Sequence, residues 1–133
     1  MKRTPLKRKT RLSPVSKKRR GMAKARQQTR QMVLDRDMNR CQAGLAGCTF
    51  HATDVHEIKS RARGGNIVAI DGDLSNFLSL CRSCHAWITT HPAFAEKFGF
   101  SVGAFADQAT LRAAERTRAI FVSGDTILEF DDE

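Results

Sequence analysis

Four cysteines in two pairs, with histidines between and beside them, are the residues of this chain best suited to chemistry. Cys41 and Cys48 stand upstream, with Gly44 and Gly47 between them. Cys81 and Cys84 stand downstream as Cys-Arg-Ser-Cys, and His85 follows at once. Thiolates suit zinc because both are borderline soft, and four of them meet its tetrahedral preference. Cys81-x-x-Cys84 is a usual knuckle spacing. The gap from Cys41 to Cys48 is wider, and its two glycines make that loop feasible. Cys41, Cys48, Cys81 and Cys84 are therefore read as ligands of a structural Zn2+. His56 and His85, with Asn76 between them, form a second set, read as pointing to another metal held for chemistry.

The rest of the chain sets limits on what these residues serve. It has 133 residues, which fits one domain, and is 41% hydrophobic, enough for a modest core. With one Trp and no Tyr, it gains from a metal staple, because metal-binding energy serves as folding energy. No apolar run is long enough to cross a membrane, and the basic N-terminus has no apolar stretch after it, unlike a secretory signal. A cytoplasmic location is expected. In a reducing compartment, paired cysteines are metal ligands rather than disulfides. The net charge is +9, yet residues 1–30 hold 13 of the 23 basic residues and none of the 14 acidic ones. The remainder is mildly acidic. Such a dense basic segment is suited to neutralising phosphates, with salt-sensitive binding largely blind to sequence. Within it, Lys17, Lys18, Arg19 and Arg20 are candidate DNA-binding residues, as are Arg61 and Arg63 beside Gly64-Gly65.

The elements that must position these groups follow from composition and period. Residues 1–20, with Pro5 and Pro14, read as a basic flexible arm. A helix is expected over 21–37, with Met22, Ala25, Met32, Val33 and Leu34 as its apolar stripe. A loop or knuckle leads to a short strand near 54–58. Arg61 to Asp73 reads as an extended loop, in which Ile67–Ile70 is either a strand or a loop segment. Leu74, Phe77, Leu78 and Leu80 deliver the chain to Cys81. A helix over 82–90 carries His85, Ile88 and Trp87, the last read as core. Pro92 opens a short helix ended by Gly99. A further helix over 107–120 has Leu111, Ala114 and Ile120 as buried positions. Phe121-Val122 and residues 126–130 read as a small hairpin with an acidic tail.

Taken together, these residues resemble the HNH endonucleases often carried by phages and prophages. The resemblance rests on Asp54-Val-His-Glu-Ile-Lys-Ser-Arg-Ala-Arg-Gly-Gly65, then Leu74-Ser-Asn-Phe-Leu-Ser-Leu-Cys-Arg-Ser-Cys-His-Ala-Trp-Ile88, then Thr-Thr-His-Pro. It covers roughly residues 38–92. The resemblance implies an α+β chain built on a ββα-metal finger: two strands and a helix around one catalytic metal. That finger would sit with the four-cysteine structural zinc site, flanking helices and a basic disordered N-terminal arm. The implied organisation is an arm over 1–20, a nuclease core with leading helix over 21–99, and a helix and hairpin extension over 100–133. On the family pattern His56 and His85 are catalytic-metal ligands, Glu57 takes the general-base position, and Asn76 orients the base strand and its loop. The base position departs from the His-His or Asp-His of many relatives, and Thr89 stands where some place another His.

The implied activity is metal-dependent hydrolysis of phosphodiesters in double-stranded DNA, in DNA packaging or recombination. Mg2+, Mn2+ or Ni2+ is the catalytic cation, a phage terminase a possible partner, a bacterial host the setting, and a monomer or weak dimer the state. Two assignments stay open. Glu57 is the base while His56 and His85 hold the metal, or His56 is the base while Glu57 or Asp54 assists the metal. Alternation along a regular strand sends His56 and Glu57 to opposite faces. A reading from another class is a zinc-stapled DNA-binding module without cleavage of its own, which the Glu57 departure keeps open.

Overall fold

A computed structural model describes residue 10 and residues 14–124. Most of the arm, the second half of the expected hairpin and the acidic tail lie outside the described residues. The chain is a small α+β unit: α1 (Lys17–Arg36), β1 (Asp54–Glu57), β2 (Phe77–Leu80), α2 (Arg82–Thr90), α3 (Pro92–Lys97) and α4 (Gln108–Ser123). The two strands pair antiparallel, with Asp54 opposite Leu80 and Glu57 opposite Phe77.

α1 begins at Lys17, so Lys17, Lys18, Arg19 and Arg20 are helical rather than part of a flexible arm. Two local causes favour this start. Ser16 caps the helix by accepting the Arg19 N–H, and Lys and Arg are good helix formers. Residues 17–24 are exposed all round, so the expected stripe is not realised there. Met22 and Met32 are exposed, while Thr29, Val33 and Leu34 are the buried positions. The helix docks by its last turns. Arg36 donates to the carbonyls of Leu74 and Phe77 at 2.9 and 2.8 Å, and Asp37 accepts the Ser79 N–H at 3.1 Å.

β2 is buried at all four positions and leads straight into Cys81. The main core joins Leu78, Leu80 and Ile88 to Ala95, Phe98 and Phe100. The segment after Gly99 packs back on this core. Phe100 is fully buried, Phe121 meets Phe98 and Phe100, and the Val102 N–H donates to the Ile58 carbonyl at 3.1 Å. Residues 100–102 thus run beside the end of β1.

Three local expectations need correction. Trp87 is 46% exposed, because α2 turns Cys84 and Ile88 inward and Trp87 lies flat on His91 at 3.6 Å instead. Ile120 is exposed: the inward stripe of α4 is Leu111, Ala114, Arg118 and Phe121, and that spacing leaves Ile120 outside. Phe121 and Val122 belong to α4, which runs to Ser123, so they form no strand. Ile67–Ile70 is a loop segment closed by a bridge between Ile70 and Asp73.

Candidate functional site

The four cysteine sulfurs lie within 4.8 Å of one another, all in the reduced state. Two loops present them. Cys41 and Cys48 come from the knuckle before β1, where Gly44 and Gly47 take positive φ angles of 64° and 80° that a side chain would resist. Cys81 and Cys84 come from the β2–α2 junction. Cys81 is also the N-cap of α2, accepting the Cys84 N–H at 3.4 Å. Burial opposes ionisation of Cys81, but hydrogen bonds from Cys84 and Thr49 pull it down to about 6. Burial pushes Cys48 and Cys84 the other way. A tetrahedron of thiolates ~2.3 Å from zinc has edges of about 3.8 Å. Cys48 Sγ and Cys81 Sγ stand 3.9 Å apart, whereas a disulfide needs ~2.05 Å. The set is compatible with a structural metal such as zinc.

The second set gathers around β1 and the first turn of α2. His85 Nδ1 meets Asp54 Oδ2 at 2.9 Å, and Arg82 Nε reaches the same oxygen at 3.2 Å. Burial opposes the Asp54 charge, but the His85 hydrogen bond and the Arg82 charge hold its carboxyl below the usual range. His56 shares the strand face of Asp54, two residues on, and its ring sits edge-on to His85 with centroids 5.4 Å apart. His56 Nε2 lies 2.6 Å from the Phe100 carbonyl oxygen. A carbonyl can only accept, so that nitrogen carries the proton and Nδ1 keeps the lone pair. The same logic puts the His85 proton on Nδ1 and leaves Nε2 with the lone pair. Burial, opposed by the Phe100 carbonyl, holds His56 down to about 4, so the ring is neutral at pH 7.

Among the described residues, the cysteines form the one group of three or more side chains converged for a metal. Asp54, His56 and His85 are neighbours but do not form such a converged group. Their chemistry nonetheless fits a cation. Each imidazole has one nitrogen fixed by a carboxylate or a carbonyl, the arrangement that orients a metal-binding His, and one nitrogen with its lone pair available.

Asn76, 7% exposed, ties the loop to the strand end. Its Oδ1 accepts the Lys59 N–H at 2.7 Å, and its Nδ2 donates to the carbonyls of Lys59 and Asn66 at 3.1 Å each. It is a positioning residue. Gly65 serves the same junction by close approach, because a Cβ there would run into the Lys59 carbonyl.

A groove of about 540 Å3 opens over β1, bordered by Arg26 and Arg30 of α1, Asp54 and Glu57 of β1, and Arg82 and His85 of α2. His56 is not on its wall. Arg61 is exposed on a 3-10 turn, Arg61–Arg63. Arg63 is tied through its Nη1 to Glu96 at 3.1 Å and to the Val102 carbonyl at 2.9 Å. Sequence reading placed Arg26 and Arg30 only within the basic segment 1–30, and it passed over Arg82 and the Asp54–His85 pair. The signal for the pair was weak: two side chains 31 residues apart, joined only by strand pairing.

No family model, curated protein or solved structure matches this chain.

Proposed function

We propose that the chain is a divalent-metal-dependent endonuclease of the HNH kind, acting on phosphodiesters of double-stranded DNA, with a structural zinc at Cys41, Cys48, Cys81 and Cys84. The observation that carries this reading is the strand–strand–helix unit that sets Asp54, His56 and His85 side by side, with Asp54 and His85 on a groove bordered by arginines. A pair of neutral-capable imidazoles, a carboxylate and cations for phosphate is a set suited to phosphoryl chemistry.

In this reading His85 and His56 would hold the catalytic cation. Mg2+, Mn2+ or Ni2+, when bound, supplies charge stabilisation at the phosphorus and assists the leaving oxygen. Asp54 fixes the His85 ring, and the Phe100 carbonyl fixes the His56 ring. Glu57 borders the open groove and takes the proton from the attacking water there. Asn76 keeps the loop after β1 in register. The reverse assignment, His56 as base, is favoured by a specific observation: Asp54 and His56 share one strand face and Glu57 points to the other. The phage or prophage setting and a terminase partner remain part of the family reading alone.

The test is a supercoiled-plasmid assay with purified protein and added Mg2+, Mn2+ or Ni2+, run beside His56→Ala, Glu57→Ala and His85→Ala. General-base loss costs about 10²–10⁴-fold. If Glu57→Ala falls by that factor and still binds the cation, Glu57 is the base. If Glu57→Ala cuts at the wild-type rate, the base is His56. Folded wild type that binds DNA but cuts with none of these metals fits the binding-module reading instead.

A further inference from the structure

Among the described residues, six arginines fall into two groups. Arg36, Arg63 and Arg118 have their guanidinium groups turned to the fold: Arg36 to Asp37 and the Leu74 and Phe77 carbonyls, Arg63 to Glu96 and the Val102 carbonyl, Arg118 to the Gly99 carbonyl. Arg26, Arg30 and Arg82 border the groove that holds Asp54 and His85. Arg26 has no hydrogen-bonded or ionic partner among the described residues. Arg30 gives one N–H to the Thr53 carbonyl, which pins α1 to the lip of β1 and leaves further donors of its fork. Arg82 touches Asp54, but its side chain is 84% exposed, so that ion pair is weak and exchangeable.

The helix register adds a third observation. Arg19, Arg26 and Arg30 are seven and eleven residues apart, which places them within ~40° of one another around the axis. From Lys17 to Leu34, α1 carries no acid at all. The row from Arg19 to Arg30 is about 16 Å long at ~1.5 Å per residue. One DNA strand carries a phosphate every ~3.4 Å of duplex axis, so such a row spans four to five phosphates, roughly.

We propose that this face of α1, Arg19, Arg26 and Arg30, together with Arg82, is the phosphate track that lays a duplex DNA backbone along the groove and brings one phosphodiester to His85. The track deepens the nuclease reading by assigning its substrate grip, and it holds for a non-cleaving duplex binder as well. It moves the grip from the loop arginines Arg61 and Arg63 to a helix face that includes Arg19. It also gives Arg82 a handover role: its guanidinium leaves Asp54 for the incoming phosphate.

The experiment is binding of a fluorescent duplex oligonucleotide from 50 to 200 mM salt, in buffer without added divalent cation. Wild type is compared with Arg26→Gln/Arg30→Gln/Arg82→Gln and with a control of lost charge on the exposed face of α4, Arg112→Gln/Arg116→Gln. Each lost phosphate contact removes ~0.9 from the slope of log K against log salt, so the triple variant loses about 2.7 and binds on the order of 100-fold more weakly at 0.15 M. The control keeps the wild-type slope. Should the triple variant fail to fold, Arg26→Gln/Arg82→Gln leaves the Thr53 contact in place and is expected to lose about 1.8. A slope unchanged in folded variants, an equal drop in the α4 control, or tighter binding of single-stranded than duplex DNA overturns the proposal. Plasmid cleavage by the same proteins separates the two claims. A lost slope without metal-dependent cutting in wild type defeats the nuclease reading alone. An unchanged slope with cutting intact defeats the track alone.

Discussion

Asn76→Ala removes one side chain and strands three backbone groups. The Lys59 N–H and C=O lose their partners in a half-buried position, while the Asn66 carbonyl belongs to an exposed residue and turns to water. An unsatisfied buried polar group costs about 1–3 kcal/mol, so two partly buried ones cost about 2–4 kcal/mol together. That is a large share of the 5–15 kcal/mol, roughly, that holds a domain folded. For a chain of this size it corresponds to a fall in Tm on the order of 10 °C. Asn76→Asp keeps the acceptor for Lys59 but turns a carboxylate toward two carbonyl oxygens, so it loses at least as much at pH 7. Urea unfolding with zinc content matched gives the energy, and amide exchange at Lys59 gives the location. The reasoning fails if Asn76→Ala loses less than about 0.5 kcal/mol, or if Lys59 exchange is as slow as in wild type.

Other expectations follow from the same geometry. Zinc removal by a strong chelator is expected to unfold the α2 junction, and Co2+ substitution to give the absorption bands of tetrahedral thiolate. Cys84→Ser that keeps both its fold and its metal contradicts the cluster's role. Gly65→Ala sets a methyl against the Lys59 carbonyl, so a loss of 1–3 kcal/mol, roughly, is expected on thermal melting, where an Ala as stable as Gly is incompatible with the close approach. His56 supplies a pH dependence. Burial holds it down to about 4 in the fold, against ~6.5 in the unfolded chain, so the unfolded state takes the proton first. Its stabilising effect is complete above pH 6.5, roughly, and is lost as pH falls toward 4, by about 3 kcal/mol in all. The stability difference between wild type and His56→Gln is therefore expected to shrink over that window in metal-free buffer, and parallel curves rule this out.

Much of the local structure was legible because it is local. The 54–57 strand, α2 after the Cys-x-x-Cys and α3 opened by Pro92 all follow from short-range pattern. So does the cysteine cluster, since one thiol pair at knuckle spacing and a second pair across a glycine-bearing loop suit a shared metal. What failed to show was long-range or hidden by residue type. An apolar scan of α4 picked Ile120, because the true stripe contains Arg118, whose buried guanidinium donates to the Gly99 carbonyl, 19 residues away. Likewise the basic run 17–20 read as a tail by composition, although its residue types and Ser16 favour a helix. Trp87 read as core because it is large and aromatic, yet stacking on His91 lets it stay half outside. The proton on each imidazole depends on Phe100 and Asp54, 44 and 31 residues away, and no spacing announces either.

The most direct measurement is the rate of plasmid nicking by wild type and His85→Ala at equal, verified zinc content, with Mn2+ added and then withheld. The account predicts cutting by wild type only with Mn2+, and loss of that cutting in a folded, zinc-loaded His85→Ala. Equal rates for the two proteins, or no cutting by wild type with any divalent cation, would contradict it.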